Sequence, residues 1–236
     1  MINSKVINWL KPYLNILEKY KNMTLWNIKK KLNIEWHEHF KKWAWGLIVE
    51  NILWIKNNND AWPDLPDIWV EIKVLPITIN ISNGFKAKEP TQIKMINFME
   101  VAKETRKNAS IRKKIETVLW IVYWVPKKNW KFVWQSEYIL LDYFIDKPIE
   151  ENWTILKKDW EMIQSYIVRW DWDRLSCSMW TYIEPKTKGK NNQDKTVAPD
   201  WKWWKIMVRR RAFYFKRNYT NKIVIPQLNI TKKIKK

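Results

Sequence analysis

Glycine is nearly missing from this sequence, with 3 in 236 residues, where a usual share of about 7% would give roughly 17. Turns that need a positive φ must then be made by other residues. Cysteine is scarcer still: Cys177 stands alone, which excludes an internal disulfide and fits a reducing cytoplasm. It reads as an inert thiol, because no base is paired with it in sequence. Long apolar runs are also lacking. The longest, Val118 to Val125, falls far short of the roughly 20 residues that cross a bilayer, and no apolar leader with a small-residue cleavage site is read near Met1. Acidic residues are few, 24 against 44 Lys and Arg, leaving a net charge of +20. The excess clusters at Lys29 to Lys31, Arg112 to Lys114, Arg209 to Arg211 and Lys232 to Lys236. Such a field favours a polyanion, with nucleic acid foremost because each neutralised phosphate releases a counterion.

What is present in excess is tryptophan, 20 residues. Many stand where a chain normally places glycine: Trp130 after Lys127-Lys128-Asn129 in a hairpin-like turn, Trp170 at the end of a helical segment, Trp180 before a strand. The pattern points to a reassigned codon, UGA, read as glycine by the source organism and written here as tryptophan. No stacking surface is therefore inferred from these tryptophans.

Periodicity places helices at Asn8 to Lys21, from an N-cap at Thr24 to about Leu32, and from about Ala44 to Ile55, where Leu47, Ile48, Asn51, Ile52 and Ile55 share a face. Glu50 lies on that third helix, ahead of the loop Asn57 to Asp60. Val70 to Ile79 alternates with a period of two, and a turn at Ser82-Asn83-Gly84 followed by Thr91 to Ile96 reads as a hairpin. Thr117 to Val125 is apolar throughout and is expected as a central strand buried on both faces. Phe132 to Ile145 gives one or two more strands. Pro148 to Val168 is mainly helix, with Trp160, Ile163, Ile167 and Val168 inward. Lys186 to Asp200 reads as a flexible basic loop, and Lys205 to Tyr219 as an ordered basic and aromatic segment. A single unit over residues 1–236 with two lobes and a basic tail from about 226 is expected.

Chemistry concentrates in Pro63-Asp64-Leu65-Pro66-Asp67-Ile68-Trp69-Val70-Glu71-Ile72-Lys73. On a strand Glu71 and Lys73 point to one face, and Asp64, in the loop entering it, can bring a second carboxylate there. Two carboxylates make a hard-oxygen site for Mg²⁺, and an adjacent ammonium can hold a phosphate or help activate water. By itself Glu-x-Lys on a strand is more often a solvated face with a cross-strand ion pair. His37 and His39 lack the spacing of a zinc site and read as surface histidines.

With these elements placed, the chain resembles the MutH family, which unites the methyl-directed mismatch-repair endonuclease with the Sau-type GATC restriction endonucleases. The blocks that carry the resemblance are Lys42 through Glu50, Asp64 through Pro76, Arg112 through Trp120, Asp159-Trp160-Glu161 and Arg211 through Thr220. The family pattern has glycine at Trp26, Trp43, Trp54, Trp69, Trp170, Trp180 and Trp203, and tryptophan at Trp120 and Trp160. The resemblance implies an α/β, restriction-endonuclease-like fold, a mixed central sheet flanked by helices, with two arms forming a DNA cleft. It implies Asp64 and Glu71 as metal-binding carboxylates, supplemented by Glu50, with Mg²⁺ as cofactor. Asp67 competes for the motif's aspartate, and the family spacing selects Asp64. Lys73 and Lys114 would be the active-site lysines. Base and backbone contacts would come from Tyr214, from Lys186 or Lys188, and from Arg211 and Lys216. The implied activity is sequence-specific, Mg²⁺-dependent cleavage of double-stranded DNA at GATC-like sites. Restriction is preferred over mismatch-repair nicking, with a homodimer on a palindrome and with repair partners only under the second reading. A catalytically silent DNA-binding module is the alternative of a different class.

Overall fold

A computed structural model describes residues 4–34, 44–55, 62–80, 84–128, 131–132, 137–175, 178–191, 193–202 and 204–232. Outside them lie His37, His39, Trp43, the loop 57–60, the turn residues Ser82 and Asn83, Trp130, Cys177, Trp203 and the end of the basic tail. The chain runs α1 (Ser4–Tyr20), α2 (Leu25–Leu32), α3 (Ala44–Leu53), β1 (Val70–Asn80), β2 (Gly84–Ala87), β3 (Thr91–Met95), α4 (Phe98–Val101) and α5 (Ser110–Lys114). It continues through β4 (Thr117–Trp124), β5 (Lys127–Lys128), β6 (Lys131–Phe132), β7 (Ile139–Asp146), α6 (Pro148–Val168) and β8 (Ile183–Thr187). The last elements are β9 (Lys195–Pro199), β10 (Lys205–Arg209), β11 (Arg211–Phe215) and α7 (Arg217–Tyr219). The expected α/β class is what the structure shows. No helix among the described residues is long and apolar enough to cross a membrane.

The chain forms two compact units. The first comprises Met1–Glu89, Leu119–Asp146 and Val224–Lys236. Its sheet has the order β2-β1-β4-β7. β4 is internal and its residues Thr117 to Val122 are all buried, as a continuous run of β-branched and aliphatic residues dictates. Helices cover the sheet with Leu10, Leu17, Leu25, Ile28, Trp45, Ile48, Val49 and Ile52, which pack with Val70, Leu119 and Ile121 into one core. Thr24 caps α2 as the sequence requires, its hydroxyl accepting from Asn27 N at 3.2 Å.

The second unit comprises Pro90–Val118 and Lys147–Ile223. Its three-stranded sheet has the order β3-β11-β8, beside a β9-β10 ribbon, and α6 lies against β8 and β9. Trp160, Ile163 and Ile167 of α6 are buried, whereas Val168, expected inward, is 39% exposed at the end of the helix. Asp159 is a structural centre: its carboxylate accepts from the backbone N–H groups of Thr181, Tyr182 and Ile183 at 2.9, 2.6 and 2.8 Å. It thereby fastens the start of β8 to α6.

Two expectations are corrected here. The hairpin partner of β1 is β2, in the register Ile77↔Ala87 to Asn80↔Gly84, and Thr91 to Met95 pairs instead with β11 of the second unit. β2 escapes a pattern reading because it is four residues long and lacks a clear alternation. The stretch Lys186 to Asp200 holds the end of β8 and all of β9. Its polar residues hide a strand because an antiparallel ladder to β10 satisfies the backbone of β9 without needing an apolar face on every residue.

The tryptophan anomaly acquires a backbone basis. Trp54, Trp69 and Trp170 have φ of 58°, 54° and 63°, in the left-handed region. The other non-glycine residues there, among those described, are Asn22 and Asn33, a residue type that tolerates it. Trp54 and Trp170 each close a helix in a Schellman motif. Ile55 N donates to Glu50 O at 2.9 Å and Trp54 N to Asn51 O at 3.3 Å, and Asp171 N donates to Tyr166 O at 2.8 Å and Trp170 N to Ile167 O at 3.2 Å. Glycine is the usual residue at that position. Trp54 is 87% exposed, whereas Trp120 is fully buried and donates Nε1–H to Asp146 Oδ2 at 3.0 Å. Replacing Trp54, Trp69 or Trp170 by glycine is expected to stabilise the protein by about 1 kcal/mol each, seen as a rise of about 2–4 °C in thermal melts. UGA is the codon expected at these three positions, and UGG there would overturn the reassignment.

Candidate active site

The site is built at the start of β1. Pro63 and Pro66 stiffen the approach. The chain then makes a short turn, Pro66–Ile68, and closes a bridge in which Leu65 N donates to Val70 O at 2.9 Å and Val70 N to Leu65 O at 3.2 Å. This turn folds Asp64 back onto the strand it precedes, where its Oδ2 accepts from Ile72 N at 2.8 Å. Ile72 is the residue between Glu71 and Lys73. Those two side chains share a face, as the period of two requires, and Lys73 Nζ lies 2.6 Å from Glu71 Oε1. Both are sheltered, their side chains 15% and 3% exposed for Lys73 and Glu71. Asp67, the competing aspartate, is exposed on the turn.

Glu50 reaches the same region from α3. Burial holds its carboxyl above the usual carboxylate range, and the negative charge of Asp64 pushes it further up. A carboxyl whose ionisation a neighbouring carboxylate opposes marks a place where a divalent cation would relieve the repulsion. The donors are oxygens alone, which suits a hard cation. Glu71 is turned onto Lys73, and among the described residues no three Asp, Glu, His or Cys converge as a ready-made ligand cluster. The raised carboxyl of Glu50 has a consequence for stability. Its proton is held more tightly folded than unfolded, so its contribution is complete below the ordinary value of 4.5 and is lost as pH rises through the raised one. Melts of metal-free Glu50→Gln are therefore expected to run above wild type near neutral pH, with the gap closing towards about pH 4. A gap unchanged with pH would refute this.

The remaining candidates stand on the second unit. Lys114 ends α5 and is 8% exposed. Near it lies Lys94 of β3, which motif reading missed. Burial lowers its ammonium pKa, the charges of Glu104 and Glu100 counter that, and Lys114 and Lys113 lower it further. The packing of α5 against β3 brings it beside Lys113 and Lys114. On the three-stranded sheet, Lys186 and Tyr214 come together, with the Lys186 ammonium 5.8 Å from the Tyr214 ring centre. Lys216 Nζ donates to Trp180 O at 2.7 Å. Lys188 N donates to Arg210 O at 2.9 Å, where the chain leaves β8. Arg211 is drawn inward: it is 8% exposed and donates Nη1–H to Leu175 O at 2.8 Å. Glu184 was not singled out by sequence, yet it is buried beside Lys186.

The family described as MutH, DNA mismatch repair enzyme MutH, matches residues 53–159, a span that includes Asp64, Glu71, Lys73 and Lys114. The type II restriction enzyme Sau3AI of Staphylococcus aureus is 30% identical over 184 residues, 76% of this chain and 36% of that enzyme. The DNA mismatch repair protein MutH of Actinobacillus pleuropneumoniae is 23% identical over 223 residues, 93% of this chain and 90% of that protein. MutH of Shewanella woodyi is 25% identical over 184 residues, 78% and 76% of the two chains. The chain thus spans about a third of the restriction enzyme's length and most of that of the repair proteins.

Proposed function

We infer that the chain carries a nuclease domain of the MutH family, and we propose that it cleaves double-stranded DNA at a short GATC-like site in a reaction dependent on a divalent cation, Mg²⁺ first. The observation that carries this reading is the lock between Asp64 and Ile72 N–H at 2.8 Å, which fixes one carboxylate against the backbone between Glu71 and Lys73. Three acidic side chains beside a DNA phosphate would repel it, which makes them costly in a module that only binds. A cation held by Asp64, Glu71 and Glu50 would supply Lewis-acid polarisation of the scissile phosphate and a more acidic attacking water.

The chain's own groups do the rest. Asp64 keeps one orientation through its hydrogen bond, so its remaining lone pairs face a constant direction. Glu71 orients the Lys73 ammonium, which is placed to offset the negative charge that builds on the phosphate as the bond breaks. Lys114 is assigned the second stabilising charge. The net charge of +20 attracts the duplex before any base is read. Bases are assigned to Tyr214 and the Lys186 to Lys188 segment, through the major groove.

Restriction is the preferred role, in keeping with the 30% identity to the restriction enzyme. Coverage of 90% of the Actinobacillus repair protein favours a second reading, nicking in mismatch repair. Supercoiled plasmid incubated with the protein and Mg²⁺ separates them: linear product, second order in protein, expects two chains acting on a palindrome, and open circles alone expect a monomer that nicks. Plasmid that stays supercoiled in Mg²⁺ and in Mn²⁺ while being retarded in a gel would overturn the nuclease reading in favour of a silent binding module.

A further inference from the structure

Glu184 is out of place for a DNA-facing strand. It is a carboxylate, 4% exposed, on a chain whose partner would be a polyanion. A strand buries such a group only when neighbouring charges offset its desolvation, because an isolated buried carboxylate costs several kcal/mol. Burial does push its carboxyl above the usual range, and the charges of Lys186 and Lys216 pull it back.

The sheet register explains the grouping. β8 and β11 pair antiparallel with Glu184 directly opposite Tyr214 and Lys186 opposite Ala212. On a pleated sheet Glu184, Lys186 and Tyr214 therefore share one face. Glu184 Oε1 lies 3.8 Å from Lys186 Nζ, and the same ammonium stands 5.8 Å from the Tyr214 ring centre. Ala212, opposite Lys186, carries only a methyl group. The Lys186 side chain is 37% exposed, so its head reaches solvent while its base is held. Lys216 is committed elsewhere, to Trp180 O.

We propose that Glu184 is a positioning residue for specificity: buried beneath the reading face, it holds the Lys186 ammonium between its carboxylate and the Tyr214 ring, in one place for donation to a guanine edge. The inference rests on the nuclease reading above. A free lysine is a flexible point charge that serves any phosphate. One held in place loses less freedom on docking and serves one geometry. Removing the carboxylate therefore frees a cation and deletes an anion at once. Non-specific attraction rises while discrimination falls, two changes in opposite directions that a merely structural loss would not produce.

The test measures binding of wild type, Glu184→Gln, Lys186→Ala and the double variant to a duplex with a central GATC and to one with GTAC, in Ca²⁺ to prevent cleavage. Glutamine matches the shape of glutamate, and thermal melts check that each variant folds. The expected result for Glu184→Gln is an unchanged or tighter Kd for the altered duplex at low salt and a preference for GATC about tenfold lower. In the Lys186→Ala background the same change should have no further effect on preference, because the two residues act as one. A Glu184→Gln variant whose preference stays within about twofold of wild type overturns the inference, as does an undiminished effect in the Lys186→Ala background. Wild type that binds both duplexes alike overturns the GATC reading itself and this inference with it. Preference in wild type that persists in Glu184→Gln sinks the inference alone.

Discussion

Glu71→Gln is expected to abolish plasmid cleavage, by on the order of 10³-fold or more, while leaving DNA binding intact or tighter. The direction of both effects follows from charge. The carboxylate is 2% exposed and sits 2.6 Å from the Lys73 ammonium. Neutralising it removes one ligand charge from the proposed cation site and the anchor that orients Lys73, so both agents of phosphate activation are lost together. A charge removed from beside DNA phosphates also lowers repulsion, so affinity measured in Ca²⁺ should not fall. Asp64→Asn is the companion variant. Its amide oxygen can still accept from Ile72 N, so the turn should survive, whereas Asp64→Ala also forfeits that bond at a further cost of about 1 kcal/mol. Loss of cleavage with retained binding in both Glu71→Gln and Asp64→Asn supports catalysis by these groups. Cleavage at wild-type rate in either would remove that residue from the site.

The largest expected effect on stability lies at a residue with no proposed chemistry. Asp159→Ala leaves three backbone donors, at Thr181, Tyr182 and Ile183, without the carboxylate that collects them. Asp159 is 3% exposed, so water does not readily take its place. The loss is expected to be about 3–5 kcal/mol, as for removal of one partner from a buried charged network. Thermal melts should fall by about 10 °C. Asp159→Asn keeps one acceptor oxygen and should cost less. Because those donors lead directly into β8, protection of the Ile183, Glu184, Lys186 and Thr187 amides in hydrogen exchange should drop with the melting temperature. A melting temperature within about 2 °C of wild type would show that the strand is held by its ladder to β11 alone.

How much of this was legible differs element by element. α2 was readable because Thr24 carries its own start signal, and β4 because an unbroken apolar run has only one comfortable environment. β9 has the composition of a loop because the stability of a polar strand comes from a partner that sequence does not reveal. The pairing of β3 was missed for the same reason: its hairpin signal is local, and its true partner, β11, lies more than a hundred residues away.

The candidate site divides along the same line. Glu71 and Lys73 on one face follow from the two-residue period of a strand, and Asp64 from the proline-bounded turn ahead of it, both local properties of the covalent chain. The scarcity of glycine was likewise a matter of sequence, though only φ values at Trp54, Trp69 and Trp170 tie it to particular turns. Glu50 raised by its burial and by Asp64, Lys94 beside Lys114, Arg211 drawn inward to Leu175 and Glu184 beneath Lys186 were decided by tertiary structure. Desolvation and charge coupling depend on which residues are neighbours in space, and that is fixed by packing and strand register rather than by any pattern within a single segment.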